Sequence, residues 1–269
     1  MTNFMLMDDI ALGLLNWVLA LSLAAARILA CAVFIPVLGN RYMSALQRNV
    51  ICLALSLPQA WFVWWQMNEK SFSGVELAVL GVKEALMGAM LGFLIAMPFM
   101  VFQGACTLID NQRGANAAQN VNPSLQADAS ILGELAERVL IVYLIGVGVF
   151  PLIFDVIAKS YAIWPVLSGF PAWTVGVKEG IFEAFMGMLS TMLVYASPVL
   201  LLLLCIEFGM AIASTSVQGL DIYQTAMPIK SICALVVIVF YFPALLNFAS
   251  SGIEGWWVTE IFGLFNRHE

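Results

Sequence analysis

Side chains that could carry catalysis or hold a metal are scarce in this sequence. His268 is its only histidine, so histidine-based acid–base catalysis, haem ligation and most zinc sites are excluded from the body of the chain. Neither a G-x-S-x-G motif nor a glycine-rich phosphate-binding loop is present. Glu134 and Glu137, with Arg138 adjacent, favour a solvated helix start over a catalytic carboxylate pair. We therefore expect no enzyme activity, no cofactor and no metal.

The charges that stand out lie inside or at the edges of apolar segments. Arg27 lies in the middle of the first segment, Lys83 and Glu84 open the third, Glu207 closes the fifth, and Lys230 opens the sixth. Snorkelling toward a membrane surface would explain the two lysines. Ion pairs between segments, or with other subunits, are the alternative explanation. The sequence does not show which of these charges pair.

Small residues are spaced to share one face of the third segment. The residues are Gly81, Ala85, Gly88, Gly92 and Ala96, at spacings that follow the helical repeat. A face without large side chains lets another backbone approach closely. That backbone belongs either to this chain, in ordinary packing, or to a partner subunit that docks there.

A long polar stretch, 104–130, separates the third apolar segment from the fourth. Its residues are mostly small, amide or weakly charged, and nothing in it can form a core or a metal site. The residues singled out are Gly104, Asp110, Asn111, Gln112, Arg113, Gly114, Asn116 and Pro123. Such a segment between two membrane helices suits a gate or plug that moves aside. A surface loop without a role explains the composition equally well.

The composition of the 269 residues excludes the soluble classes of protein. Hydrophobic residues make up 62% and charged residues 10%, against about 45–50% and about 25% in soluble domains. So few charges cannot cover so apolar a core in water, and the mean hydropathy is +0.95. The net charge of −6, with no basic patch, argues against nucleic acid as a partner. The sequence therefore predicts an all-α membrane protein.

Roughly six apolar segments have about the length of a membrane span. They cover residues 10–38, 49–65, 83–109, 139–157, 184–206 and 231–251. Prolines interrupt all but the first, at Pro58, Pro98, Pro151, Pro198 and Pro243. Because proline removes a backbone donor and kinks a helix, such spans need protein neighbours or a water-filled cavity. This favours a chain that packs against other proteins or lines a passage, with a self-contained bundle of kinked helices as the alternative. We find no repeat or linker and expect a single domain, 1–269.

The order of these features resembles a known family. The core of the resemblance is Val82 to Gly88, Ile109 to Ala115, and Asn122-Pro123. Flanking matches are Arg27, Pro36, Arg48-Asn49, Tyr143, Asp155-Val156, Lys159-Ser160-Tyr161, Trp164-Pro165, Ala196 to Val199, Glu207 and Lys230-Ser231. Over about residues 20–250 the chain is similar to the T component of the type III secretion export apparatus, a relative of flagellar FliR. The Asn-Gln-Arg-Gly form of the motif looks more like injectisome members than flagellar ones.

The resemblance implies a structural and gating role in an export gate. In this family one T subunit joins several R-type and S-type subunits in a helical hetero-oligomer, with U-type switch and V-type export subunits as further partners. The assembly passes unfolded proteins across the bacterial inner membrane and is held largely above the bilayer, toward the periplasm. By resemblance, residues 106–123 form a loop that projects into the channel and helps to close it. No cofactor is implied.

A self-contained secondary transporter is a second hypothesis. Arg27, Glu84, Glu207 and Lys230 would then form a buried ion pathway, as intramembrane charges do in transporters. The absence of an inverted repeat argues against it. An integral-membrane enzyme is a third hypothesis, for which the sequence offers no nucleophile or metal cluster.

Overall fold

The computed structural model describes residues 2–67, 72–114, 130–148, 150–170, 175–216 and 222–255. Across these ranges the chain is helical and contains no strand. The helices are α1 (Thr2–Phe34), α2 (Ala45–Met67), α3 (Gly74–Arg113), α4 (Ile131–Val147), α5 (Phe150–Ile163), α6 (Val175–Ser216) and α7 (Ile222–Gly255), with a short 3-10 turn at Pro36–Leu38. Among the described residues, five helices are long and apolar enough to span a membrane, and α4 with α5 makes a sixth span if the pair is counted as one. The predicted all-α membrane protein of roughly six apolar segments is confirmed.

Proline interrupts these helices less than the sequence suggested. Helices α2, α3, α6 and α7 run through their internal prolines. The fourth predicted segment, in contrast, is not one helix, because α4 ends at Val147 with Gly148 as its C-cap, and α5 begins at Phe150. Gly148 has a φ of +81°, which glycine adopts readily at the end of a helix. Pro151 lies in the first turn of α5, where a missing N–H costs little. The break is therefore a glycine cap.

Helix α3 is longer than the apolar run that predicted it. It starts at Gly74, well before Lys83, and continues past Ile109 to Arg113. Ser73 and Glu76 form a capping box at its start: the Ser73 N–H donates to Glu76 Oε2 at 2.8 Å, and the Glu76 N–H donates to Ser73 Oγ at 3.3 Å. Lys83 and Glu84 therefore lie well inside the helix.

The first of two compact units consists of Met1–Ala96 and Phe150–Thr174. Within it, α1 and α2 form a hairpin in which the Trp17 ring meets Trp61 and Trp64 edge-on, with centroids 6.0 and 6.1 Å apart. The core of this unit lies where α1 and α3 touch. Its fully buried members include Ala20, Ala24, Cys31, Leu91 and Ile95.

The second unit consists of Met97–Val149 and Val175–Glu269. Helices α6 and α7 pair within it, and the Tyr241 hydroxyl donates to the Tyr195 carbonyl at 3.2 Å. Many large apolar side chains of these two helices are exposed, among them Phe208, Ile212 and Phe240. An exposed apolar surface of this extent needs lipid or other protein to cover it.

Candidate functional site

Three charged side chains meet in the interior of the first unit. Arg27 on α1 and Glu84 on α3 are completely buried, and Lys83 is 1% exposed. Arg27 Nε and Nη2 donate to Oε2 and Oε1 of Glu84 at 2.7 and 2.9 Å, the bidentate geometry that makes arginine–carboxylate pairs strong. Lys83 Nζ lies 3.0 Å from Glu84 Oε1. Two cations therefore share one carboxylate, which leaves the cluster with an excess positive charge. We call these three residues the charge cluster.

Backbone carbonyls after α5 surround the Lys83 ammonium. Lys83 Nζ donates to the carbonyl oxygens of Pro165, Val166 and Ser168 at 3.1, 2.7 and 2.9 Å. These carbonyl dipoles offset the excess positive charge. The explanation of Lys83 as a snorkelling residue is therefore wrong, because its ammonium points into the protein, where it has four oxygen partners.

Arg27 is held by helix α5 and the residue after it. Its Nη1 donates to Ser160 Oγ at 3.1 Å, and its Nη2 donates to the Trp164 carbonyl at 2.8 Å. Its guanidinium carbon lies 4.2 Å from the centroid of the Tyr161 ring, and the Tyr161 hydroxyl donates to the Ala24 carbonyl at 2.7 Å. The charge cluster therefore joins α1, α3, α5 and the residues after α5 through polar contacts that are buried or part-buried.

The small-residue face of α3 packs against α1 of the same chain. A Cβ on Gly88 would overlap the Arg27 carbonyl, and a Cβ on Gly92 would lie 2.6 Å from the Cys31 carbonyl oxygen. Gly81 has only an ordinary contact nearby, and of the two alanines Ala96 is buried and Ala85 half-buried. The backbone that approaches Gly88 and Gly92 is therefore this chain's own, so a partner subunit does not dock at those two positions.

The remaining predicted charges pair in the second unit. Lys230 Nζ lies 3.0 Å from Glu207 Oε2, and Gln112 Nε2 donates to the same oxygen at 3.3 Å. The Lys230 side chain is 10% exposed, whereas that of Glu207 is 51% exposed. Snorkelling does not describe Lys230 either, since its ammonium is paired within the chain.

Because Glu207 is half-exposed, water reaches one side of this pair, so Glu207→Gln is expected to cost less stability in the purified chain than the loss of a fully buried ion pair. Fully exposed ion pairs contribute about 0–1 kcal/mol and breaking a buried pair costs about 3–5 kcal/mol, so a loss between these ranges is expected for a pair with a buried Lys230. The measurement is the melting temperature in detergent, with Phe208→Leu as a control at the neighbouring exposed position. A loss of the folded chain with Glu207→Gln alone would show that this carboxylate carries more of the fold than its exposure implies.

The polar motif predicted to lie in a loop begins inside a helix. Residues 106–113, which include Asp110, complete α3, so this part of the predicted plug segment is helical. Glutamine and arginine are good helix formers, which is why the helix continues beyond the apolar run. It ends at Gly114, whose φ is +84° and whose N–H donates to the Asn111 carbonyl at 3.1 Å. Gly104 lies within the helix, close to the Met192 side chain. Asn116 and Pro123 lie outside the described residues.

Asp110 connects the end of α3 to the start of α4. Its carboxylate is completely buried. Oδ1 accepts from Arg113 Nε at 2.7 Å, and Oδ2 accepts from Ser130 Oγ at 2.5 Å and from the Leu132 N–H at 2.9 Å. Ser130 in turn caps α4 by accepting from the Gly133 N–H at 2.9 Å. Sequence analysis singled out Asp110 for its polarity and missed this role; a serine directly before an apolar helix was the available signal.

Within the described ranges, no group of three or more histidine, cysteine, aspartate or glutamate side chains is placed to hold a metal ion. The polar clusters described above join helices to one another.

Comparison with known proteins identifies the family. Residues 18–255 match the family described as bacterial export proteins, family 1. The Yop proteins translocation protein T of Yersinia pestis is 32% identical over 253 residues, which cover 93% of this chain and 94% of that protein. The surface presentation of antigens protein SpaR of Salmonella typhimurium is 28% identical over 87% of this chain and 90% of its own length. The flagellar biosynthetic protein FliR of Bacillus subtilis is 24% identical over 82% of this chain and 85% of its own length. Since the family match and the first of these relatives both span most of the sequence, the chain belongs to the bacterial export proteins, family 1.

Proposed function

We propose that this chain is a structural and gating subunit of the inner-membrane export gate of a type III protein secretion system. Unfolded protein substrates would pass through a central channel to which it contributes. The observation that carries the proposal is the family match over residues 18–255, with relatives named for protein translocation and flagellar biosynthesis.

The charge cluster argues for a subunit over a self-contained transporter. A transport pathway needs charges that can exchange partners with a moving ion. Arg27 and Glu84 are instead held by each other and by fixed protein groups, without contact with water. Two of the four charges that the transporter hypothesis requires therefore stabilise the fold and are not free to bind a moving ion.

The exposed apolar surface of α6 and α7 supports the proposed partners. R-type and S-type subunits would cover part of this surface in a hetero-oligomer, and lipid would cover the rest. Contacts with U-type and V-type subunits, and a position raised toward the periplasm, complete the proposal. Exposed positions such as Leu201, Phe208 and Val239 would become buried on assembly.

Native mass spectrometry tests the proposed assembly. The C-terminus would be tagged in the native host and the particle extracted in mild detergent. We expect a large hetero-oligomer containing one copy of this chain. A stable monomer or homodimer without other proteins would overturn the proposal, and flux measurements in liposomes containing this chain alone would then test transport.

Within this proposal, residues 106–123 form the channel plug, with 106–113 as its helical base. Deleting residues 115–122 is expected to raise ion leakage through the resting gate well above the wild-type level, because the material that closes the channel is removed. The measurement is conductance of the purified assembly in planar bilayers, with the mass of the assembly checked in parallel. Unchanged leakage and unchanged secretion from a correctly assembled gate would show that this segment is not the plug.

A further inference from the structure

Helix α5 exposes a face whose composition differs from the exposed faces of the long helices. The exposed residues lie on one side of the helix and are Pro151, Asp155, Ala158, Lys159, Ala162 and Ile163. Ile163, the last residue of the helix, is the one large hydrophobic side chain among them, and it is 37% exposed. We call Asp155, Ala158, Lys159 and Ala162 the polar face of α5.

The opposite side of α5 packs into the first unit. Its buried residues are Ile153, Val156, Ile157, Ser160 and Tyr161. Ser160 Oγ accepts from Arg27 Nη1 at 3.1 Å, and the Tyr161 hydroxyl donates to the Ala24 carbonyl at 2.7 Å. These two contacts fix the rotation of α5 about its own axis, so the polar face points away from the charge cluster.

The same contacts set the level of the polar face along α1. At 1.5 Å per residue, Arg27 lies about 24 Å after Ala11 and about 10 Å before Phe34, the ends of the apolar part of α1. Lys159 and Ala162 directly flank the two residues of α5 that contact α1 at this level. Lipid around this part of α1 would also surround the charges of the polar face, and charges that face hydrocarbon are strongly disfavoured. The polar face is therefore not a lipid-facing surface.

The polar face is also unlike a surface that binds another subunit. The centres of stable protein interfaces are rich in large apolar and aromatic side chains and poor in charges. Helix α2 of the same unit has that composition, since it exposes Leu57, Trp61 and Trp65. Helix α5 exposes two alanines and an ion pair instead. Water is the neighbour that this composition fits.

The charges of the polar face neutralise each other. Lys159 Nζ lies 2.6 Å from Asp155 Oδ2, one helical turn away, and both side chains are about half-exposed. The face therefore has no net charge with which to retain acidic or basic segments of a passing polypeptide. Its alanines bury too little area to retain apolar segments. Such a surface allows chains of very different sequence to move past it.

We propose that the polar face of α5 is part of the wall of the aqueous channel, along which unfolded polypeptide passes. This proposal rests on the proposed function and adds to it the surface of this chain that meets the substrate. The wall acts by not binding: it offers water-exposed, small and electrically balanced side chains at the level where the rest of the first unit is apolar.

Cysteine labelling of the assembled gate tests the channel wall. The starting variant carries Cys205→Ala and Cys233→Ala, which removes the two cysteines that are not buried. Ala158→Cys and Ala162→Cys then place a thiol on the polar face, and Leu57→Cys places one on the exposed apolar face of α2 as a matched control. A charged maleimide, which stays in water, is added to the purified gate, where it reaches both ends of the channel. We expect the two thiols on α5 to react roughly tenfold faster than the control.

A stalled substrate distinguishes the channel wall from other wet surfaces. The gate is purified with a secretion substrate fused to a tightly folded domain that cannot pass. We expect labelling of Ala158→Cys and Ala162→Cys to slow several-fold, because the stalled polypeptide occupies the channel. Labelling that stays fast with the stalled substrate would place the polar face on the outside of the gate and overturn the proposal. Slow labelling without it would show that lipid or another subunit covers the face, which also overturns the proposal.

Assembly of the variants is checked by the mass of the purified gate and by the rate of secretion. Cysteine differs from alanine by one sulfur atom, so both variants should assemble and secrete as the starting variant does. If one fails to assemble, the other decides; if both fail, the face is tightly packed and the proposal is wrong. If native mass spectrometry finds no hetero-oligomer, the proposed function fails and the channel wall fails with it. A hetero-oligomer whose polar face labels slowly or without protection contradicts the channel wall alone.

Discussion

Replacing Glu84 by glutamine is expected to reduce sharply the amount of folded chain in the membrane. The change leaves Arg27 and Lys83 buried side by side without an anion. Removing one partner of a buried ion pair costs about 3–5 kcal/mol. Since whole domains are stable by about 5–15 kcal/mol, a loss of this size removes a large part of the margin. The measurements are the steady-state amount in membranes and the melting temperature in detergent.

The number of unpaired buried charges predicts the order of stability among related variants. Glu84→Gln leaves two cations, whereas the double variant Arg27→Met, Glu84→Gln leaves only Lys83, which keeps its three carbonyl partners. The double variant should therefore be more stable than Glu84→Gln alone, although it carries one more substitution. Such non-additivity is expected of residues within one network.

An exposed ion pair on the same unit supplies the control. Asp155 and Lys159 lie 2.6 Å apart with side chains 48% and 55% exposed. Asp155→Asn should change stability by no more than about 1 kcal/mol. If Glu84→Gln were as abundant and as heat-stable as Asp155→Asn, the charge cluster would not be what holds α1, α3 and α5 together.

The class of fold was predictable from the sequence because it depends on composition and segment length. Helix ends were less so: a capping box at Ser73 and Glu76, outside the apolar run, starts α3, and Gly148 rather than Pro151 ends α4. An apolar run shows which residues are buried in protein or lipid. The end of the helix depends instead on which groups satisfy the backbone hydrogen bonds of its last turn. The end of an apolar run and the end of the helix therefore differ wherever polar residues extend the helix.

The importance of Arg27 was predictable, and its partners were not. A charge in the middle of an apolar run requires compensation, which singles the residue out. Glu84 and Ser160 are 57 and 133 residues away, so their approach depends on how α1, α3 and α5 pack. The small-residue spacing likewise predicted a close approach on α3 and left open which backbone makes it. Only the tertiary structure shows that it is the backbone of Arg27 itself.

Gly88→Ala is expected to be nearly as damaging as Glu84→Gln. By helix propensity alone the change would stabilise α3, since alanine is favoured over glycine by about 1 kcal/mol. Packing reverses the sign, because the new Cβ would overlap the Arg27 carbonyl. A backbone carbonyl within α1 cannot rotate away as a side chain can, so the two helices must separate.

Separation at Gly88 also disturbs the charge cluster. Gly88 lies one helical turn after Glu84 on α3, and the carbonyl that it contacts belongs to Arg27, whose guanidinium binds Glu84. Overpacking costs about 1–3 kcal/mol by itself. Here the same displacement lengthens buried ion-pair contacts, so the total loss should exceed that range and reduce the amount of folded chain in the membrane.

Two other glycines of the same face calibrate this expectation. A Cβ on Gly81 would meet only Leu23 Cδ2 at 3.8 Å, an ordinary contact, so Gly81→Ala should leave the melting temperature unchanged or slightly raised. A Cβ on Gly92 would lie 2.6 Å from the Cys31 carbonyl oxygen. Because Gly92 is two helical turns from Glu84, the melting temperature of Gly92→Ala should lie between those of Gly81→Ala and Gly88→Ala. Equal melting temperatures for all three variants would contradict the α1–α3 contact. A graded loss that is greatest at Gly88 would show that close backbone packing and the buried ion pairs stabilise the first unit as one system.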